Sequence, residues 1–168
     1  MASSQLDAAY ADIIAKVKAR ESGYDLTQSL NDPAHATGAF QVARADITGD
    51  GVDELLVAVQ TTSEANQVRV FLCTNPDEHA APNIILLRGS VGMTLNPMNP
   101  VYPWLATVAG TPGVFQIDYE RINGTFYASL RQVNGDAIQD TGTYYTYPPE
   151  NNRPHIPDTY VKVVFQDA

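Results

Sequence analysis

Val114-Phe-Gln-Ile-Asp-Tyr-Glu-Arg-Ile-Asn-Gly-Thr-Phe-Tyr-Ala-Ser-Leu-Arg131 reads as two β-strands folded back on one another. Apolar and polar residues alternate on both sides of Asn123-Gly124. An Asn-Gly pair between alternating runs is the strongest short signal of a β-hairpin, because both residues tolerate the positive φ of a tight turn. On the first arm Phe115, Ile117 and Tyr119 share one face, and Val114, Gln116, Asp118 and Glu120 share the other. That division predicts a half-exposed strand. Asn123-Gly-Thr125 also matches a glycosylation sequon, but the hairpin already accounts for it.

Further strands follow on either side. Asn134-Gly135 predicts a second tight turn into residues 137–147. Pro148 to Pro157 form a proline-rich loop, and Tyr160 to Phe165 alternate as a last strand. Upstream, Leu55 to Thr61 form a continuous apolar run, the pattern of a central strand. Val68 to Thr74 follow a short polar connection, so these two runs predict another hairpin. Asn83 to Arg88 is a further apolar run, and Ala39 to Ala45 lead into a glycine-rich loop. Between 89 and 103, Gly89, Gly92, Pro97, Pro100 and Pro103 break any regular ladder.

The start of the chain differs. Leu6, Tyr10, Ile13, Ile14 and Val17 fall on one face of a 3.6-residue period, which predicts a helix over 4–22. Ser4 suits the N-cap, Lys16, Lys18 and Arg20 suit the last turns, and Gly23 suits the stop. A helix this short is marginal alone in water, so its apolar stripe must dock on something. The expected class is α+β: one N-terminal amphipathic helix packed on a mostly antiparallel β-sheet of about seven or eight strands, in a single domain 1–168 whose β-rich body spans 39–166.

Composition narrows the function. The chain has 168 residues, with 10 Lys plus Arg against 19 Asp plus Glu, a formal charge of −9. Phosphate backbones and anionic membranes select basic surfaces, so nucleic acid is not an expected partner. At this length roughly two thirds of the unfolded surface can be buried, so a core can hold the fold without disulfides. Cys73 is the only cysteine. It sits in the strand-like run Val68-Arg-Val-Phe-Leu-Cys73 and reads as a buried apolar thiol. No run approaches the roughly 20 apolar residues of a membrane span. The first residues lack the apolar core of a secretory signal. With its low charged fraction of 17%, the surface reads as extracellular in style. A secreted or envelope location is expected, with the signal segment already removed; a cytoplasmic one is the alternative.

The chemistry concentrates in Asp46-Ile-Thr-Gly-Asp-Gly-Val-Asp-Glu54, the loop before the central strand. Calcium takes 6–8 oxygen ligands at about 2.3–2.6 Å. Side chains at positions 1, 3 and 5 of a tight loop converge on one point, here Asp46, Thr48 and Asp50. Gly51 allows the sharp turn at position 6. Val52 offers its backbone carbonyl at position 7, and Glu54 follows at position 9. A solvated Gly-Asp-Gly turn without an ion is the alternative reading.

These residues resemble the calcium loops of the FG-GAP and integrin-type repeat, the dockerin repeat and the EF-hand. They are most similar to a phrase of bacterial envelope proteins, Asp-x-Asp-Gly-Asp-Gly-x-x-Glu-Leu between two strands. Several such proteins also carry an N-terminal amphipathic helix. The resemblance implies calcium ligands at Asp46, Asp50 and Glu54, with Thr48 standing where the pattern has an acid. It covers residues 46–57 only. Val57 stands where an EF-hand has its bidentate glutamate, and the loop occurs once.

Other residues carry weaker signals. His35, His79 and His155 form no metal-spaced pair. No nucleophile elbow or phosphate loop is present. Tyr102, Trp104, Tyr145 and Tyr147 sit in or beside rigid, proline-rich segments, where aromatic rings suit recognition of a protein or glycan because little side-chain entropy is lost on binding. They also suit closing the ends of a core. The expected function is a calcium-stabilised extracellular or envelope binding or accessory domain, not an enzyme. The alternatives are an envelope glycan hydrolase using Asp118, Glu120 or the loop acids, and a purely structural domain. A buried Cys73 predicts slow labelling by a thiol reagent in the native protein and fast labelling after unfolding; equal rates would place the thiol at the surface.

Overall fold

The computed structural model describes residues 3–25, 36–61, 67–72, 83–87, 104–134 and 137–168. Among these residues one helix, α1 (Ser3–Lys18), precedes ten strands: β1 (Ala36–Ala45), β2 (Glu54–Thr61), β3 (Gln67–Leu72), β4 (Asn83–Leu87), β5 (Trp104–Val108), β6 (Thr111–Glu120), β7 (Thr125–Asn134), β8 (Ala137–Tyr147), β9 (Tyr160–Lys162) and β10 (Gln166–Asp167). The strands form two five-stranded sheets, ordered β10-β1-β2-β3-β4 and β8-β7-β6-β5-β9. Every strand pairing is antiparallel. The α+β class holds, with eight strands of five residues or more and two short ones at the C-terminus. Among the described residues no helix is long and apolar enough to cross a membrane.

The apolar run of β2 is buried on both faces. Leu55 and Val57 meet Tyr10, Ile13 and Val17 of α1, with Phe40 and Val42 of β1 beside them. Leu56 and Ala58 point the other way, into a cluster with Ala43, Ile47, Leu105, Val114 and Val163 that joins the two sheets. The helix thus covers the outer face of the first sheet, and the second sheet covers its inner face. Arg44 adds a polar tie on the helix side, lying over the Tyr10 ring and pairing with Asp7.

Helix α1 stops earlier than the expected residue 22. Glu21 donates its amide to the Lys16 carbonyl and Arg20 donates to Val17, with Arg20 at φ 52°. That pair of hydrogen bonds is a Schellman cap, and Arg20 takes the left-handed position usually given to glycine. Gly23, at φ 84°, shapes the turn beyond it instead.

The β6–β7 hairpin forms, but its connection is the four residues 121–124, since Glu120 still pairs with Thr125. Only Gly124 has positive φ there, at 68°, so the two-residue turn read from Asn-Gly is replaced by a longer one. The first half of β6 is not half-exposed either. Val114 and Gln116 are buried along with Phe115 and Ile117, because this part of the strand lies between the sheets on one side and an aromatic cluster on the other.

The expected last strand, Tyr160 to Phe165, stops at Lys162, and a second short strand follows beyond it. β9 pairs with β5 in the second sheet, and β10 pairs with β1 in the first. Between them Val163 is buried in the inter-sheet cluster and donates its amide to Leu105. The C-terminal segment is therefore a strap across both sheets. Gln41 donates to the Asp167 carboxylate at 3.1 Å, and the Ala168 amide to Phe40 at 3.2 Å, at its far end. Cys73, His35, His79, Tyr102, the broken segment 89–103 and Gly135 of the second expected turn lie outside the described residues.

Leu56 is fully buried between the sheets, so Leu56→Ala should cost about 2–5 kcal/mol in urea unfolding. Val164 is 65% exposed, and Val164→Ala should stay within about 0.5 kcal/mol. Equal effects at the two positions would contradict this packing.

Candidate metal centre

The β1–β2 connection begins after Ala45, which pairs with Glu54 across the ladder. Its glycines have separate reasons. Gly49 lies at φ 80°, and a Cβ there would sit 2.9 Å from Pro112 Cγ of the second sheet. Gly51, at φ 86°, is needed for its backbone alone, because nothing lies within 4 Å of its Cβ position. The loop is pinned from two sides. Gly113 donates its amide to the Ile47 carbonyl at 2.8 Å, and the Ile47 side chain is buried in the inter-sheet cluster. From the helix, the Tyr10 hydroxyl donates to the Asp53 carbonyl. Tyr10, Pro112 and Gly113 gave no sign of this role in the sequence, since their partners are remote in the chain.

The acids converge. One carboxylate oxygen each of Asp46, Asp50 and Glu54 lies within 4.8 Å of the others. Asp46 accepts the Gly49 amide at one oxygen, 2.8 Å, and the Gly51 amide at the other, 2.9 Å. Asp50 accepts the Val52 amide at 2.8 Å. Glu54 is buried at 5% exposure. Its Oε2 accepts the Ile47 amide at 2.7 Å and the Thr48 amide at 3.2 Å, while Oε1 accepts the Thr48 hydroxyl at 3.0 Å. A carboxylate has about four lone-pair sites. Asp46, Asp50 and Glu54 Oε1 therefore keep acceptor capacity after these bonds, and so does Thr48 Oγ1, whose proton points at Glu54.

Burial raises the Glu54 pKa above the ordinary glutamate value. The Ile47 amide and the Thr48 hydroxyl and amide pull it down, and the charge of Asp50 pushes it up again. The folded protein thus keeps this proton to higher pH than the unfolded chain. The stability Glu54 contributes is full below the ordinary glutamate pKa and is lost as pH rises through the raised value. A bound cation reverses that sign by favouring the ionised form.

The other candidate residues divide. Trp104 from β5 and Tyr145 and Tyr147 from β8 are remote in the chain, yet all reach the outer face of the second sheet. Trp104 pairs with Ile117, Ile117 with Ala128 and Ala128 with Tyr145, so the two rings stand at opposite ends of one row across four strands. Tyr147 shares a hydroxyl contact of 2.7 Å with Tyr160, and Lys162 lies over the Trp104 ring. Tyr145 remains 49% exposed. Asp118 accepts from Gln116 at 3.1 Å, and Glu120 accepts from Asn123 and Tyr127 at 2.9 and 3.0 Å. Glu120 thus ties β6 to the connection and to β7, while the bond to Asp118 stays within β6. His155 lies near Glu150 in the loop after β8.

No family model matches the chain, and neither a curated protein nor a solved structure is detectably similar to it.

Glu54→Ala should leave the buried Ile47 amide without its acceptor, at a cost of about 1–3 kcal/mol. Glu54→Gln keeps one carbonyl acceptor and should lose less. Urea titrations in the presence of a chelator measure both; a Glu54→Ala variant as stable as the parent would remove Glu54 from this role.

Proposed function

We propose that the loop 46–54 binds one calcium ion and that the chain is a calcium-stabilised binding or accessory module of the extracellular space or cell envelope, not an enzyme. The observation that carries the proposal is the convergence of Asp46, Asp50 and Glu54 oxygens within 4.8 Å. Calcium takes oxygens at about 2.3–2.6 Å, so three oxygens within 4.8 Å of one another can all reach one such ion. The choice of calcium over magnesium rests on the resemblance of the loop and on calcium's tolerance of irregular oxygen shells. Thr48 Oγ1 and the Val52 carbonyl complete five protein ligands, and water fills the remainder of the shell.

The partner, a protein or a glycan, would meet the aromatic face of the second sheet. Trp104, Tyr145 and Tyr147 supply rings there, and Tyr102 precedes Trp104 by two residues. Calcium contributes stability in this scheme and leaves recognition to the opposite side of the second sheet.

With three carboxylates, binding in the extracellular range of about 10⁻⁴ M is expected. At 10 mM calcium the native state should then gain roughly 2.7 kcal/mol. That corresponds to a rise in melting temperature of about 5–10 °C for a domain of this size. Magnesium should do much less. Asp50→Asn should keep the fold and weaken the response. The calcium shift should also grow as pH rises through the raised Glu54 pKa, since proton and ion compete for that carboxylate. Melting curves unchanged by calcium, with Asp50→Asn behaving like the parent, would reduce the loop to an ordinary turn.

A further inference from the structure

The tip of the β6–β7 hairpin holds a reactive dipeptide in an unreactive posture. Asn123 is exposed and followed by Gly124, whose lack of a side chain leaves its amide nitrogen open to approach. Three hydrogen bonds tie this pair down. Asn123 Nδ2 donates to Glu120 Oε2 at 2.9 Å, Asn123 Oδ1 accepts the Thr125 amide at 3.1 Å, and the Gly124 amide donates to the Glu120 carbonyl at 2.9 Å. The Tyr127 hydroxyl steadies Glu120 from β7 at 3.0 Å.

We propose that Asn123 is a latent deamidation site that its own turn keeps silent, so that its conversion records opening of the hairpin. In the reaction the Gly124 nitrogen gives its proton to hydroxide and attacks Asn123 Cγ. The new N–C bond forms as the Cγ–Nδ2 bond breaks, and ammonia leaves with a proton taken from water. Water then opens the succinimide at either carbonyl, giving aspartate or isoaspartate. One water enters and one ammonia departs, with no change of oxidation state. Each native hydrogen bond opposes a step: the Gly124 proton is engaged, and the side-chain amide is held at both ends, away from the attack geometry.

The product cannot restore the turn. A carboxylate at position 123 replaces the donor to Glu120 with a second negative charge. Isoaspartate adds a main-chain methylene inside the connection that sets the β6–β7 register. Conversion during a transient opening would therefore hinder reclosure.

The test incubates the intact protein at mildly alkaline pH, folded and in guanidinium, and follows the peptide containing Asn123 by mass spectrometry and isoaspartate detection. Folded protein should convert at least about tenfold more slowly than unfolded chain, the factor set by the cost of local opening. Folded Glu120→Ala, which frees the side-chain amide, should convert at a rate between the two. Glu120→Gln keeps a carbonyl acceptor and should stay near the parent. Circular dichroism checks that each variant is folded, and the folded-to-unfolded comparison stands on the parent protein alone. Equal rates in folded and unfolded parent would overturn the proposal, as would a folded Glu120→Ala that is as slow as the parent.

Discussion

A strand with apolar side chains on both faces needs two covers, and much of this architecture answers that need. Leu55 and Val57 of β2 point one way, Leu56 and Ala58 the other. Removing either set from water is worth about 1.5–3 kcal/mol for each large side chain. The helix supplies one cover through Tyr10, Ile13 and Val17. The second sheet supplies the other through Leu105 and Val114, with the C-terminal strap adding Val163. The acidic loop inherits its position from this arrangement. It lies at the end of the doubly covered hairpin, so helix and second sheet both reach it, through Tyr10 and through Gly113.

What could be read from the sequence was whatever depends on neighbours in the chain. The 3.6-residue stripe from Leu6 to Val17 marked the helix, the run from Leu55 marked a doubly buried strand, and the alternation around Asn123-Gly124 marked a hairpin. The features that escaped depend on remote partners or on choices that local sequence leaves open. Arg20 has no intrinsic preference for the left-handed conformation, so the early Schellman stop carries no residue signature. Tyr160 to Phe165 alternate like one strand, and nothing local says that the strand should stop at Lys162 and the chain cross to the other sheet at Gln166. Trp104 and Tyr145 share a row only because three successive antiparallel registers place them there. The acids of the loop were legible for a related reason: their partners are within the loop itself.

That self-containment is also why the loop admits two readings, and Glu54 is where they meet. A buried carboxylate accepting the Ile47 and Thr48 amides is a structural device, since those donors would otherwise be unsatisfied next to the inter-sheet core. Oε2 is fully used by that task. Oε1 has accepted only the Thr48 hydroxyl. An ion held through Oε1 would therefore leave the two amide bonds in place. What remains unbalanced is charge. Burial and Asp50 both disfavour the ionised form of Glu54, and the hydrogen bonds it accepts do not fully offset them. A divalent cation would relieve the repulsion among the three acids at once, whereas protonating Glu54 would relieve only its own share. Hydrogen bonds alone account for the geometry of the loop; on the proposed reading, an ion would also answer its charge.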